Sequence, residues 1–374
     1  MTPLETFRRI SQDPLAALTE WTEDRGLPAV GTNCSCVPEE IIWASGALPF
    51  RLLGLSLKTT LADRHLPAFC CSPVKTILED GLSGSLRDLS GTAFAAGCDS
   101  MQRLSDIWRL NVPQGFHLDL ELPAKLSKPA SLDYLQAVLR RFHQDLLGSL
   151  GLKEDGSALP RAIELFNELR ARLQELARLR RDRPGCLSGA DFLAVSLAAQ
   201  VMDRAQGITR LDELLAGLKS PPADEGNSLP RLALAGSPCL LPRMISLIEE
   251  CPARVVADDL CTGERFFHGH VEETADPYEA LARRLAARPP CPAKHAGLEA
   301  RTGFLLQQIK DSQAQGVVLA ALKFCDPQGF DIPHIQEVLA AEGLPCLTLE
   351  LEEQRFAEEQ LRTRCQAFVE RLEP

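Results

Sequence analysis

The stretch from Gly316 to Glu350, GVVLAALKFCDPQGFDIPHIQEVLAAEGLPCLTLE, limits the possible folds more than any other part of the chain. Gly316 to Leu322 is a short apolar run rich in Val, Leu and Ala. An amphipathic segment, Pro333 to Ala341, separates it from a second run, Leu347 to Leu351. Strand, helix and strand in that order predict a βαβ unit, and with it a parallel sheet. Ligands of such sheets collect beyond the carboxyl ends of the strands, and Cys325 lies three residues past the first strand. Its thiol is offered to a ligand while its backbone stays anchored.

Two other places repeat the arrangement. Ala253 to Leu260 reads as a strand ending in Asp258-Asp259 and running into Cys261-Thr262-Gly263. Thr92 to Ala96 reads as a strand followed by Gly97-Cys98 and a helix, MQRLSDIW, which Asp99 or Ser100 is expected to cap. The free amides and positive dipole end of that helix would favour an anionic group beside the thiol. From Leu27 the chain predicts a strand, a turn carrying Cys34 and Cys36, a helix opening at Pro38 with Glu39 and Glu40 in its first turn, and a strand at Pro49 to Leu53. Both glutamates can be explained as helix-start residues. Cys70 and Cys71 stand just before a helix that begins near Pro73. Asp99, Asp258, Asp259 and Asp326 read as carboxylates that bond backbone amides in these loops rather than as acid–base catalysts.

At 374 residues, with 45% hydrophobic and 24% charged, the chain has room for two or three domains and a large core. A net charge of −11 argues against a general nucleic-acid surface, and no apolar run reaches the roughly 18 residues that span a bilayer. The N-terminus lacks the apolar core and cleavage site of a signal peptide, so the chain reads as cytosolic. Thirteen cysteines in a reducing compartment then mean buried thiols, catalysis or metal rather than disulfides. For Cys186, Cys239, Cys251, Cys346 and Cys365 a small buried hydrophobe would serve equally well. Structural zinc favours close CxxC pairs, and the chain has none. It also lacks a Walker loop, a GxGxxG turn, an HExxH pair and a GxSxG elbow, which disfavours nucleotide binding and the common hydrolase chemistries. His268-Gly269-His270 reads as a surface loop.

The domain plan follows from texture: a helical lead-in over 1–24, a first α/β domain over 25–130, a helical insertion over 131–225 and a second α/β domain over 226–374. The insertion is rich in Leu, Ala, Arg and Glu with apolar positions at i, i+3 and i+4, and its charge run Arg178 to Arg183 reads as a solvated face. The segment 220–230 reads as a linker.

NCSCVPEEIIWASGALPFRL, CSPVKTIL, GCDSMQRLSDIW, DDLCTGERFF, PPCP, and KFCDP with FDIPHIQEVLAAEGLPCLTLE together resemble the 2-hydroxyacyl-CoA dehydratase and benzoyl-CoA reductase subunit superfamily, in the same order across nearly the whole chain. The resemblance implies two Rossmann-like parallel-sheet domains with a helical insertion and an oxygen-sensitive iron–sulfur site in the interdomain cleft. It also implies a separate ATP-hydrolysing iron–sulfur activator that supplies low-potential electrons. The ligand set it implies is Cys34, Cys71, Cys98, Cys261, Cys291 and Cys325, with Cys71 preferred to Cys70 because it stands four residues before Lys75. Two departures affect the first ligands: the proline after Cys71 has moved to position 73, and Cys36 stands where the family usually has an aromatic residue. Six cysteines match a double cubane of two sulfide-bridged 4Fe–4S units, hence an ATP-dependent reductase of a small molecule. Three of them would serve a radical 2-hydroxyacyl-CoA dehydratase with a single 4Fe–4S cluster, and a non-catalytic cluster carrier is a third reading. The full set on one chain points to a homodimer.

Overall fold

The computed structural model describes residues 1–113, 115–126, 128–219, 228–238, 240–294, 297–352 and 357–372. Two four-stranded sheets, all parallel, organise them. The first contains β1 (Ala29–Thr32), β2 (Leu48–Arg51), β3 (Gly91–Ala95) and β4 (His117–Leu120) in the order β2-β1-β3-β4. The second repeats the plan with β5 (Arg231–Gly236), β6 (Arg254–Asp259), β7 (Gly316–Leu322) and β8 (Cys346–Leu351) in the order β6-β5-β7-β8. The α/β class and the parallel sheets are as expected. Each sheet reverses its winding between two central strands, β1 and β3 in one and β5 and β7 in the other, and that reversal opens a crevice at their carboxyl ends.

The central strands form because short, continuously apolar segments covered by helices on both faces can be buried whole. β1 and β3 are buried at every position. β7 occupies the span predicted for it. β4 was not expected: His117–Leu120 is an edge strand, half exposed for most of its length, so no apolar run announces it. The helix after β7 also begins earlier than Pro333. It runs Asp326–Ala341 with Pro333 inside, exposed, where the lost backbone bond is left to solvent.

The lead-in folds as helices Pro3–Gln12 and Pro14–Thr19 and a π turn, Glu20–Asp24. Thr2 and Glu5 close the first of these with a reciprocal capping box. Between the sheets in sequence stand helices Pro129–Leu150, Ala158–Asp182, Gly189–Ala199 and Arg204–Lys219, and one apolar cluster runs from Phe7 through Leu173 and Phe192 to Leu234 and Leu349. Among the described residues no helix is long and apolar enough to cross a membrane.

These helices also hold the sheets by charge. Arg204 meets Glu39 at 2.6 Å, and Arg170 is paired with Glu40, so the two glutamates are more than helix-start residues. Arg180 reaches Asp258 at 3.1 Å and Glu264 at 2.9 Å, and lies 3.7 Å over the Phe192 ring. The run Arg178 to Arg183 is therefore not uniformly solvated: Arg178 is exposed, whereas Arg180 is 1% exposed. Removing one member of a buried ion pair leaves its partner's charge uncompensated, at a cost of about 3–5 kcal/mol. Arg180→Met should lose stability on that scale in urea unfolding, while Arg178→Met should stay within about 0.5 kcal/mol of the parent. Equal effects would contradict the pairing.

Candidate functional site

The cysteines at strand ends are placed by backbone contacts. After β1, the Asn33 side chain accepts a hydrogen bond from Ala95 N at 2.9 Å and donates to Ala95 O at 3.3 Å, which joins the turn bearing Cys34 to the end of β3. Cys34 and Cys98 thus flank the first crevice. Cys71, Cys98 and Cys325 each occupy the N-cap of a helix: Ser72–Leu82, Asp99–Asn111 and Asp326–Ala341. Asp99 and Ser100 do not cap the second of these. The Asp99 side chain is 88% exposed, 3.8 Å from Arg103. Cysteine is a weak substitute for Ser, Thr, Asp or Asn at an N-cap, so the first-turn amides stay available to a thiolate or to what it holds.

In the second half, Asp258 accepts from Glu264 N at 2.8 Å and shapes the turn that carries Cys261. A Cβ on Gly263 would lie 1.9 Å from Asp258 Oδ1, so this turn closes only around glycine. Amide bonding thus holds for Asp258, whereas Asp259 is engaged by Arg265, its Oδ2 at 2.6 Å from Nη2. Asp326 is exposed. Ser237 donates its N–H to Ala320 O at 2.8 Å, and its hydroxyl accepts from Leu322 N at 3.2 Å, which sets that hydroxyl beside Cys325. Cys291 rides on a loop that crosses to the first sheet. Arg288 donates to Ser35 Oγ at 2.9 Å, Lys294 donates to Ala96 O at 3.0 Å, and Arg265 holds Pro290 O at 2.8 Å.

The six predicted thiols act on one another. Burial pushes Cys98 up to about 11, the Met101 amide opposes it, and the charges of Cys325, Cys291 and Cys34 add to it. Cys261 rises to about 11 through burial and through Cys34 and Cys291, against the pull of Arg51 and Arg265. Cys71 is driven up by its hydrogen bond with Cys70, by burial, and by Cys325 and Cys98. Cys291 rises through burial and Cys34, and Cys325 through burial, against the Gln328 amide and the Ser237 hydroxyl. Cys34 moves the other way: the Cys36 hydrogen bond, Arg51 and Arg288 hold it well below the usual thiol range despite burial. Each of the six is thus within electrostatic reach of at least one other of the set.

Two thiols beyond the predicted six, Cys36 and Cys70, lie beside Cys34 and Cys71. Cys186, Cys251, Cys346 and Cys365 show no such coupling to the six, and Cys239 lies outside the described residues, as does His295. His268 packs edge-on against Phe304 at 5.3 Å, so the His268-Gly269-His270 segment is not wholly a surface loop. Arg51 went unnoticed in the sequence. The available signal was an arginine closing an otherwise apolar strand, LPFR; it is 8% exposed, and its Nε and Nη1 are buried without a partner among the described residues.

Soft thiolate donors suit iron–sulfur groups, zinc or cuprous ions. A single zinc ion needs its sulfurs at about 2.3 Å, and among the described residues no three Cys, His, Asp or Glu groups stand ready for one ion. Mutually interacting thiols, with Arg51 Nε and Nη1 buried without a partner among the described residues, fit a larger anionic group such as the iron–sulfur centre that the resemblance implies. The shifts also order reactivity, because the thiolate is the nucleophile. Iodoacetamide at pH 8 should label Cys34 of metal-free protein ahead of Cys98 and Cys261, whose labelling should climb as pH approaches about 11. Equal rates by mass spectrometry would contradict this electrostatic picture.

A family model described as 2-hydroxyglutaryl-CoA dehydratase, D-component, matches residues 34–372, from the first of the six cysteines to the last described residue. The chain is 26% identical to the (R)-phenyllactyl-CoA dehydratase beta subunit of Clostridium sporogenes, over 98% of this chain and 97% of that one. It is 26% identical to lactoyl-CoA dehydratase subunit beta of Anaerotignum propionicum, over 99% and 98% of the two chains. A benzoyl-CoA reductase subunit of Thauera aromatica is also 26% identical, over 95% and 94%. With a match of that extent the chain belongs to the 2-hydroxyglutaryl-CoA dehydratase D-component family, whose relatives include 2-hydroxyacyl-CoA dehydratase and benzoyl-CoA reductase subunits.

Proposed function

We propose that this chain is the iron–sulfur component of an ATP-dependent reductase. In this reading Cys34, Cys71, Cys98, Cys261, Cys291 and Cys325 hold a double cubane, and a separate ATP-hydrolysing activator supplies the electrons. What supports it is the electrostatic interaction among cysteines that follow strands or open helices in both halves of one chain. When bound, such a group supplies single electrons at low potential. The chain's own residues prepare its place. The six thiols must lose their protons to act as ligands, so loading releases protons. The Met101 and Gln328 amides and the cations Arg51 and Arg288 favour that loss. Asn33 and Ser237 keep the loops in register. The substrate is a small molecule, the working form a homodimer in a reducing, anaerobic cytoplasm.

A second reading is supported by the near full-length similarity to dehydratase beta subunits: a radical 2-hydroxyacyl-CoA dehydratase subunit with one 4Fe–4S cluster. Anaerobic iron and sulfide analysis separates the two, with about eight irons per chain expected for two cubanes and about four for one. Cys98→Ala, Cys261→Ala and Cys325→Ala should each lower bound iron while circular dichroism stays unchanged. Wild-type iron in all three variants would sink the ligand assignment. The isolated protein should neither hydrolyse ATP nor oxidise a nicotinamide, and turnover should require the activator. ATP hydrolysis by homogeneous protein alone would contradict the division of labour.

A further inference from the structure

The edge of the first sheet ends in a buried cation with no ion pair among the described residues, its Nε and Nη1 without hydrogen-bond partners. Arg51 is the last residue of β2 and is paired in register with Thr32, so it stands at the same carboxyl end as Asn33 and Cys34. It is buried, and its Nε and Nη1 have no hydrogen-bond partner among the described residues. Buried guanidinium N–H groups without partners are costly for a fold to hold, and they persist where something anionic completes them.

Its position is set by backbone from three places. Leu52 N donates to Thr32 O at 2.9 Å, and Arg51 N donates to Gln200 O at 3.1 Å. Gln200 in turn donates its side-chain N–H to Thr262 O at 3.1 Å, and the Ser196 hydroxyl donates to the same oxygen at 2.7 Å. β2, the inserted helices and the Cys261 turn are thus tied together at Arg51, whose charge is felt by both Cys34 and Cys261. The other guanidinium groups near these thiols are engaged. Arg265 pairs with Asp259, Arg301 stands 3.1 Å from Asp331 as an ion pair without hydrogen-bond geometry and donates Nη1 to Pro290 O at 3.4 Å, and Arg288 bonds Ser35 and the Arg265 carbonyl.

We propose that Arg51 is a positioning residue for the reducible group: a fixed positive charge at the junction of the Cys34 and Cys261 loops that favours the reduced, more negative state. The inference rests on the reading of this site as a thiolate-held iron–sulfur centre. One-electron reduction adds one negative charge, the electron comes from an external low-potential donor, and the guanidinium keeps its proton throughout. The arginine therefore contributes field alone, and its removal makes each electron harder to add.

The test is an anaerobic dithionite titration, followed by electron paramagnetic resonance, of wild-type protein, Arg51→Met and Arg51→Lys, with iron and sulfide measured on each. Arg51→Met should keep its iron and show a midpoint potential more negative by at least a tenfold change in the one-electron equilibrium, about 59 mV. Arg51→Lys should recover most of that shift. Iron-loaded Arg51→Met with an unchanged potential overturns the inference and leaves the function reading standing. If Arg51→Met cannot retain iron, Arg51→Lys decides. Wild-type iron and potential in the lysine variant support the requirement for charge, whereas loss of iron from both variants assigns Arg51 to loop shape and overturns it. Wild-type protein without iron after anaerobic loading removes the function reading itself, and this inference with it.

Discussion

Thiols that act on one another's ionisation are kept within reach of each other by backbone rather than by side-chain attraction. Every cysteine of the set follows a strand, opens a helix or sits on a strapped loop, so its position is inherited from elements whose own energy comes from buried Val, Leu, Ala and Phe. The hydrophobic term scales with apolar area at about 25 cal/mol per Å² and is indifferent to the site. It can hold a cluster of like-charging groups that would not assemble unaided. Parallel sheets suit the task because all their carboxyl ends point one way.

The inserted helices make the arrangement stiff. They send buried arginines to carboxylates beside both sheets, Arg170 and Arg204 toward the helix that follows Cys34, Arg180 toward the turn that carries Cys261. Buried ion pairs are weak stabilisers in net terms, since desolvation consumes most of their attraction. Their value here is angular: a guanidinium fork accepts few geometries, and each pair fixes how a helix sits against a strand end.

Much of this was legible in the sequence because burial on both faces leaves a plain mark. β7 and the four inserted helices could be placed from apolar runs and from i, i+3, i+4 periodicity. β4 could not, since an edge strand with half-exposed residues has the composition of a loop. The first turns of the Asp326–Ala341 helix were hidden by Pro333 and by an exposed Phe330, both of which break the periodic signal. Of the site, the six cysteines were visible, but their surroundings were not. Arg180 and Arg178 are indistinguishable as letters, and only the fold decides that one is buried and the other exposed. Arg51 shows in the sequence only as an arginine closing an apolar strand, and its role arises where three distant segments meet.

The strap that carries Cys291 has an evolutionary consequence. Arg288 and Lys294 reach across to the first sheet largely by way of main-chain oxygens, those of Ser35, Ala96 and Leu122. A carbonyl oxygen is the same at every residue, so this fastening is blind to the side chains of the loops it grips. Those loops are free to vary in bulk and polarity, and so to change what the cleft admits, without loosening the seam between the two halves. A scaffold joined in this way can take up new substrates by surface drift alone.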